Sequence, residues 1–403
     1  AFVSQELWDI VGPAVQASPH LRQIVVIGPE APEGTLSWEA FIAGTTPAET
    51  LDCSGDEIAF WLYSSGSTGA PKGVRHVHSA LRQTCDTFAR QVLDIQENDK
   101  VFSAAKLFFA YGLGNGMSFP LSVGASSLLF NGRPTPDSVS HILETYQPTV
   151  YYGVPTLFAA LLHKWETDGA PPQVPLRCCT SAGEALPADI GRKWLDLMGI
   201  DIIDGVGSTE MLHIFLSNRP GDVHYGTSGM AVPGYEVRLV DEAGAEVETG
   251  VIGELLVRGG SAAADYWNQR SKTRQTFEGE WTRTGDKYER NAAGRYIYCG
   301  RTDDMFKVSG IWVSPFEIEQ ALVAFPAVLE AAVVAHRDED DLEKPKAFVV
   351  LKPGHGPEAV AGIRTFIKDK IGKWKYPRWI EIIDDLPKTA TGKIQRFKLR
   401  GRS

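Results

Sequence analysis

The amino-acid sequence predicts an α/β protein with a large multilayer N-terminal domain that includes a β-rich element, followed by a small α+β C-terminal domain. Three observations carry this expectation. Short apolar strands alternate with helix-like stretches as far as Ile203, a β-rich texture sets in at Gly226, and a compact alternation of helix and strand resumes after Asp304. Alternation of the first kind predicts a mostly parallel sheet covered by helices. The domain boundary is expected between 302 and 303, giving domains 1–302 and 303–403.

In chain order, residues 1–4 read as the tail of a strand, 7–15 as a helix and 24–28 as a strand. A chain that opens inside a β-α-β unit is expected to be incomplete at its start. The apolar run 58–63 reads as a buried strand, and the loop Ser64-Ser65-Gly66-Ser67-Thr68-Gly69-Ala70-Pro71-Lys72-Gly73 follows it. Small hydroxyls and unblocked N–H groups ahead of a lysine suit phosphate oxygens, and the loop is expected at a strand's carboxyl end. It is not a Walker A loop, because the glycine spacing fails and Lys72 precedes Gly73 rather than Ser or Thr.

Helices are expected over 81–92, 138–146 and 155–165, with strands at 126–130, 149–152 and 202–203. The segment Gly205-Val206-Gly207-Ser208-Thr209-Glu210 then reads as a loop projecting from the same sheet edge as the 64–73 loop. Thr209 can donate to a phosphate there, and Glu210 offers the hard oxygen that Mg²⁺ requires. Strands at 235–240 and 253–258 form an antiparallel element. The stretch 281–286 ends in Asp286, a carboxylate suited to ribose hydroxyls, with Arg301 just beyond. In the last hundred residues, helices at 315–325 and 357–371 flank strands at 331–335 and 347–351. Lys393 follows a glycine turn in a polar loop.

Composition narrows the class. With 40 Lys and Arg against 50 Asp and Glu, the chain carries a formal charge of −10, which argues against a general nucleic-acid binder. Five cysteines without a C-x-x-C spacing suit reduced thiols in a cytosol and give no zinc site. No apolar run approaches the roughly 20 residues that span a bilayer. A soluble, cytoplasmic protein with no membrane partner is expected.

Taken singly, many of these residues have plainer readings. Glu210 and Asp286 serve equally as cap or turn carboxylates, and Lys393 as a solvated lysine. His76 and His78 lack a third ligand and read as surface or capping residues. Phe108 reads as a core aromatic, and the basic tail from Lys398 to Arg402 as a solvent-exposed terminus.

Together, from Tyr63 to Arg396, these segments resemble the successive core motifs of the adenylate-forming superfamily of acyl- and aryl-CoA synthetases, luciferases and peptide-synthetase adenylation domains. Lys106-Leu107-Phe108-Phe109-Ala110-Tyr111-Gly112-Leu113-Gly114-Asn115 and Ser208-Thr209-Glu210-Met211-Leu212-His213-Ile214-Phe215 most resemble benzoate-CoA ligases and their hydroxybenzoate relatives. The resemblance implies a two-step reaction, carboxylate to acyl-adenylate and then to a coenzyme A thioester, with ATP, Mg²⁺ and coenzyme A. It assigns Lys393 to the substrate carboxylate and α-phosphate, Thr209 to the α-phosphate and Glu210 to Mg²⁺. The loop from Ser64 and Ser65 through Gly66, Ser67, Thr68 and Gly69 to Lys72 would hold pyrophosphate. Asp286 and Arg301 would grip the ribose, while Gly183, Glu184 and Ala185 with Asp204, Gly205 and Val206 flank adenine.

The same resemblance places Ala110, Tyr111, Gly207, His213 and Ile214 around the acyl group and Ser309 and Gly310 along the coenzyme A path, while Lys373, Lys375 and Arg378 form a local basic cluster in an acidic chain, suited to coenzyme A phosphates. The resemblance makes the C-terminal domain mobile about a hinge at Asp303. Many relatives carry histidine where Ala110 stands and tyrosine where Val206 stands, so the ring slot and the adenine contact depart from the family pattern. Acylation of Lys393 by modifying enzymes is a further implication. Benzoate, a 4-hydroxy or other aryl acid, and a small alicyclic acid all stay open as substrates. So do a carrier-protein-loading enzyme, a non-catalytic remnant and the oligomeric state.

Overall fold

The computed structural model describes residues 1–65, 71–308, 311–339, 342–372, 375–388 and 394–400. It divides into two units, 1–53 and 54–403. In the first, strand Phe2–Ser4, helix Trp8–Gln16 and strand Val25–Ile27 form the expected β-α-β unit, and Leu36–Ser37 extends the parallel sheet. Ser37 caps the next helix, Trp38–Ile42, by accepting the Ala40 amide.

The second unit is built on a seven-stranded sheet. Its order is Met230–Ala231, Ile214–Ser217, Ile202–Gly207, Cys178–Ser181, Val150–Gly153, Lys100–Ser103, Ser126–Leu128. The five strands from Ile202–Gly207 onward run parallel. Successive residues face opposite sides, so both faces must be apolar to be buried. Phe102, Tyr151, Cys179 and Ile202 enter one core with Phe158, Trp165 and Trp194. Their neighbours Val101, Tyr152, Cys178 and Ile203 enter the other with Phe88 and Phe119.

Helices Pro136–Tyr146, Pro155–Asp168 and Ala188–Met198 supply one cover. The expected 81–92 helix is present as His78–Thr84 continuing through Cys85–Val92, where it widens to i→i+5 turns that end on the Leu93 amide and Phe88 carbonyl.

Three sequence expectations differ from the strands observed. Residues 205–207 are strand, paired antiparallel with Ile214–Ser217, so the loop of interest begins at Ser208. The 64–73 segment does not leave the parallel sheet. Strands Ile58–Ser65 and Pro71–Val77 form a hairpin in a separate sheet with Asp265–Tyr266, and Ser64 and Ser65 pair with Lys72 and Pro71. The 58–63 run is not buried on both faces, since Leu62 points inward while Trp61 and Tyr63 are exposed. Its alternation is that of a half-covered antiparallel strand.

A five-stranded antiparallel sheet contains Tyr235–Val240, Gly253–Gly259, Trp281–Arg290, Phe277–Glu278 and Tyr296–Arg301. Beyond it, Val328–Arg337 and Glu343–Leu351 pair antiparallel and Trp379–Ile382 joins in parallel. Helices Pro315–Val323 and Ala359–Ile371 close this sheet over Ile318, Leu322, Val333, Val349, Ile363 and Ile367. The architecture is thus α/β, with a large N-terminal domain and a small C-terminal one. Residues 398–400 of the basic tail are helical rather than loose, and 401–402 lie outside the described residues. Helix Arg396–Arg400 buries Leu399, and Arg400 donates to the Asp303 carbonyl at 2.9 Å. Phe108, expected in the core, is exposed. Among the described residues no helix is long and apolar enough to cross a membrane.

Candidate active site

Thr209 and Glu210 lie on the turn between strands Ile202–Gly207 and Ile214–Ser217. Strand Pro71–Val77 brings Lys72 to them: its ammonium lies 3.1 Å from Glu210 Oε1 and 3.1 Å from the Tyr266 hydroxyl. Tyr266 in turn donates to Glu210 Oε1 at 2.7 Å. Burial alone would push the Glu210 carboxyl up. The Lys72 charge and the Tyr266 hydroxyl outweigh it and hold the group below the usual carboxylate range, hence ionised. Arg75 fixes the strand that bears Tyr266 through a two-pronged pair with Asp265 at 2.6 and 2.5 Å.

His76 corrects the surface reading. It is fully buried, stacked on Phe60 at 5.4 Å, with Nε2 2.9 Å from the Thr209 carbonyl. Burial pushes its imidazole down to about 4, so it is neutral near pH 7. His78 is exposed at the start of the following helix, so the two histidines are not a pair. Among the described residues no group of three or more His, Cys, Asp or Glu side chains is placed to hold a metal. A single ionised Glu210 nonetheless fits Mg²⁺, which commonly takes one or two carboxylates and completes its shell with substrate phosphates and water.

Asp286 and Arg301 face each other across strands Trp281–Arg290 and Tyr296–Arg301, with Arg301 donating to Asp286 Oδ1 at 3.0 Å and to the Thr284 carbonyl at 3.1 Å. Gly285 makes this possible. It sits at φ 71°, and a Cβ there would come 2.9 Å from the Arg301 guanidinium.

Gly183, Glu184 and Ala185 follow the carboxyl end of strand Cys178–Ser181. Asp204, Gly205 and Val206 lie on the adjacent parallel strand, with Asp204 beside Ser181. Burial pushes the Asp204 carboxyl well above its usual range, and its Oδ1 has no hydrogen-bond partner among the described residues.

The structure brings Tyr111, Gly207 and His213 together. The Tyr111 hydroxyl meets Thr180 Oγ1 at 2.6 Å, and its ring lies 5.5 Å from that of His213. His213 Nε2 lies 3.1 Å from Asn115 Oδ1, and a Cβ on Gly207 would collide with the His213 carbonyl. Burial drives the His213 imidazole down to about 3. Ala110 packs with Leu62, Ala80 and Leu212, while Ile214 lies within the main core.

Farther along, Lys375 pairs with Glu317 at 2.6 Å, and Arg378 stacks on Tyr376 at 4.5 Å. Asp304 pairs with Arg396 at 3.3 Å and with Arg400. Gly66, Ser67, Thr68, Gly69, Ser309, Gly310, Lys373 and Lys393 lie outside the described residues. Tyr266 and His76 had no sequence signal. Tyr266 is 56 positions from Glu210, and His76 is 133 from Thr209.

A parallel sheet with the ionised Glu210 turn at the carboxyl ends of its strands, beside a hairpin that brings Lys72 to that turn, is the arrangement to set against known families. The chain belongs to the AMP-binding enzyme family: the AMP-binding enzyme model matches residues 3–267, and the model for the AMP-binding enzyme C-terminal domain matches residues 317–393. Among its relatives, the benzoate-CoA ligase of Thauera aromatica is 58% identical over 410 residues, which cover 99% of this chain and 76% of that protein. The solved benzoate CoA ligase of Burkholderia xenovorans LB400 is 50% identical with a TM-score of 0.88, covering 99% of this chain and 79% of that one. A solved anthranilate CoA ligase in complex with anthranoyl-AMP is 45% identical with a TM-score of 0.95, covering 100% and 77%.

Proposed function

We propose that this chain is an AMP-forming aryl-CoA ligase that converts benzoate, or a close ring-substituted analogue, to its coenzyme A thioester. The 58% identity to a benzoate-CoA ligase across 99% of the chain carries the reading. In the first step the carboxylate oxygen attacks the α-phosphorus of ATP, the bond to the β-phosphate oxygen breaks, and pyrophosphate leaves. Charge gathers on the phosphoryl oxygens, so fixed donors and cations do most of the work. Thr209 and Lys393 serve the α-phosphate, and the hairpin bearing Lys72 receives the departing pyrophosphate. Asp286 accepts from the ribose hydroxyls, with Arg301 holding its carboxylate in place.

Glu210 would hold Mg²⁺, which when bound neutralises phosphate charge. In the second step the coenzyme A sulfur attacks the acyl carbon and AMP leaves with the bonding pair. That step uses a swing of the domain from 303 onward about Asp303, with Ser309 and Gly310 along the thiol path and Lys375 and Arg378 toward the coenzyme A phosphates. The close group of Tyr111, Gly207 and His213 supports a short slot for one ring. We place the enzyme in the cytoplasm, where ATP and coenzyme A are supplied.

A screen of pyrophosphate release and thioester formation across benzoate, its hydroxy, amino and fluoro derivatives and small alicyclic acids tests the reading. Benzoate or a monosubstituted benzoate is expected to give the highest kcat/KM with stoichiometric thioester. Adenylate without thioester would move the function to carrier loading, and no pyrophosphate from any acid would overturn it.

A further inference from the structure

The turn that carries Thr209 and Glu210 is held against its own backbone preference. Leu212 sits at φ 65°, a left-handed conformation that is unfavourable for a bulky residue and persists only where neighbours enforce it. Three successive carbonyls of the turn accept from two places in the fold, one from strand Pro71–Val77 and two from the segment at 261–263. Thr209 accepts from His76 Nε2 at 2.9 Å, Glu210 from the Ala263 amide at 2.8 Å and Met211 from the Ser261 hydroxyl at 2.7 Å. Of these donors, His76 alone comes from strand Pro71–Val77, which also supplies Lys72.

A carbonyl oxygen can only accept, so the His76 proton resides on Nε2. That leaves Nδ1 buried with no hydrogen-bond partner among the described residues. A phenyl ring would fill the same space against Phe60 with no stranded nitrogen. The cost of that nitrogen is offset only by what the Nε2 bond achieves.

We propose that His76 is a positioning residue for adenylation: by clamping the Thr209 carbonyl to the strand that bears Lys72, it sets the Thr209 hydroxyl and Glu210 carboxylate in register with the nucleotide phosphates. The inference rests on the ligase reading above. It differs from a packing role in what it predicts for each half-reaction.

His76→Phe keeps the ring and its stack but removes the donor, and His76→Gln keeps a donor without the ring. In benzoate-dependent ATP–pyrophosphate exchange, His76→Phe is expected to lose about 10- to 100-fold in kcat, with KM for benzoate within about twofold. Calorimetry should show a weaker affinity for magnesium-ATP with metal-free ATP binding unchanged. Transfer of supplied benzoyl-adenylate to coenzyme A should match wild type, and His76→Gln should recover part of the exchange rate. Unchanged exchange in His76→Phe, or equal loss in both half-reactions together with a lowered Tm, would overturn the assignment. If wild type exchanges pyrophosphate with no aromatic acid, the ligase reading falls by itself. The calorimetric comparison then still decides for His76, equal magnesium-ATP affinities counting against it.

Discussion

Glu210 shows how much one carboxylate depends on residues far away in the chain. Its charge is kept by Lys72, its orientation by Tyr266, and its backbone by Ala263. Two buried histidines of the candidate site, by contrast, are held neutral. Burial drives His213 down to about 3 and His76 down to about 4, against an ordinary histidine value of about 6.5 in the unfolded chain. A base with a depressed folded value takes up its proton first in the unfolded state. Stability is therefore full above about pH 6.5 and falls on acidification, by up to about 1.4 kcal/mol per pH unit for each such group, until the folded imidazole itself titrates.

Asp204 acts with the opposite sign, because its carboxyl is raised in the fold. The wild-type slope is thus a balance, and a variant isolates one contributor. His213→Asn is expected to flatten the decline of unfolding free energy between pH 6 and 5 by about 1 kcal/mol per pH unit in urea titrations. An identical slope would show that His213 is already charged in the fold.

At the scale of elements, the candidate site and a buried ion pair sit at opposite edges of the parallel sheet. Thr209, Glu210 and Asp204 lie toward the carboxyl ends of the strands, whereas Asp99 and Arg177 precede strands Lys100–Ser103 and Cys178–Ser181. Asp99 is buried and accepts from Arg177 Nε at 2.9 Å, the Gln96 amide at 2.8 Å and the Thr149 hydroxyl at 2.7 Å. Burial pushes its carboxyl up, but these bonds outweigh that and hold it below the usual range. Arg177 also donates to the Leu93 and Asp94 carbonyls. Removing it leaves a buried charge without its counter-ion, which costs about 3 kcal/mol or more. Arg177→Met is expected to lose that much stability while leaving KM for the aromatic acid unchanged; a shifted KM with intact stability would contradict this division.

The elements were largely legible because period-2 and period-3.6 apolar patterns report burial directly. The hairpin was not. Its second strand, with Lys72, Arg75 and His76, carries no apolar alternation, because those side chains serve Glu210, Asp265 and Thr209. The acidic turn was legible as a motif, but the residues that support it were not, because spacing along the chain carries no record of a contact made across two sheets.

For the molecule as a whole, the chain changes partners within a few residues. Arg301 bonds to Asp286 in the five-stranded sheet, while Asp304 bonds to Arg396 and Arg400 near the C-terminal end. A swing about Asp303 would carry Lys393 away once the adenylate has formed. Lys393→Ala is therefore expected to slow pyrophosphate exchange on the order of 100- to 1,000-fold while still converting supplied benzoyl-adenylate to thioester. Equal loss in the two assays would refute the alternation.

The burial of sulfur has a practical consequence. Cys85, Cys178, Cys179 and Cys299 are enclosed, and burial pushes the Cys178 and Cys299 thiols up to about 12. Cys53 is exposed and is the last residue of the first unit. Of these five cysteine sulfurs Cys53 alone is exposed, so a dye or spin label placed there needs no engineered cysteine.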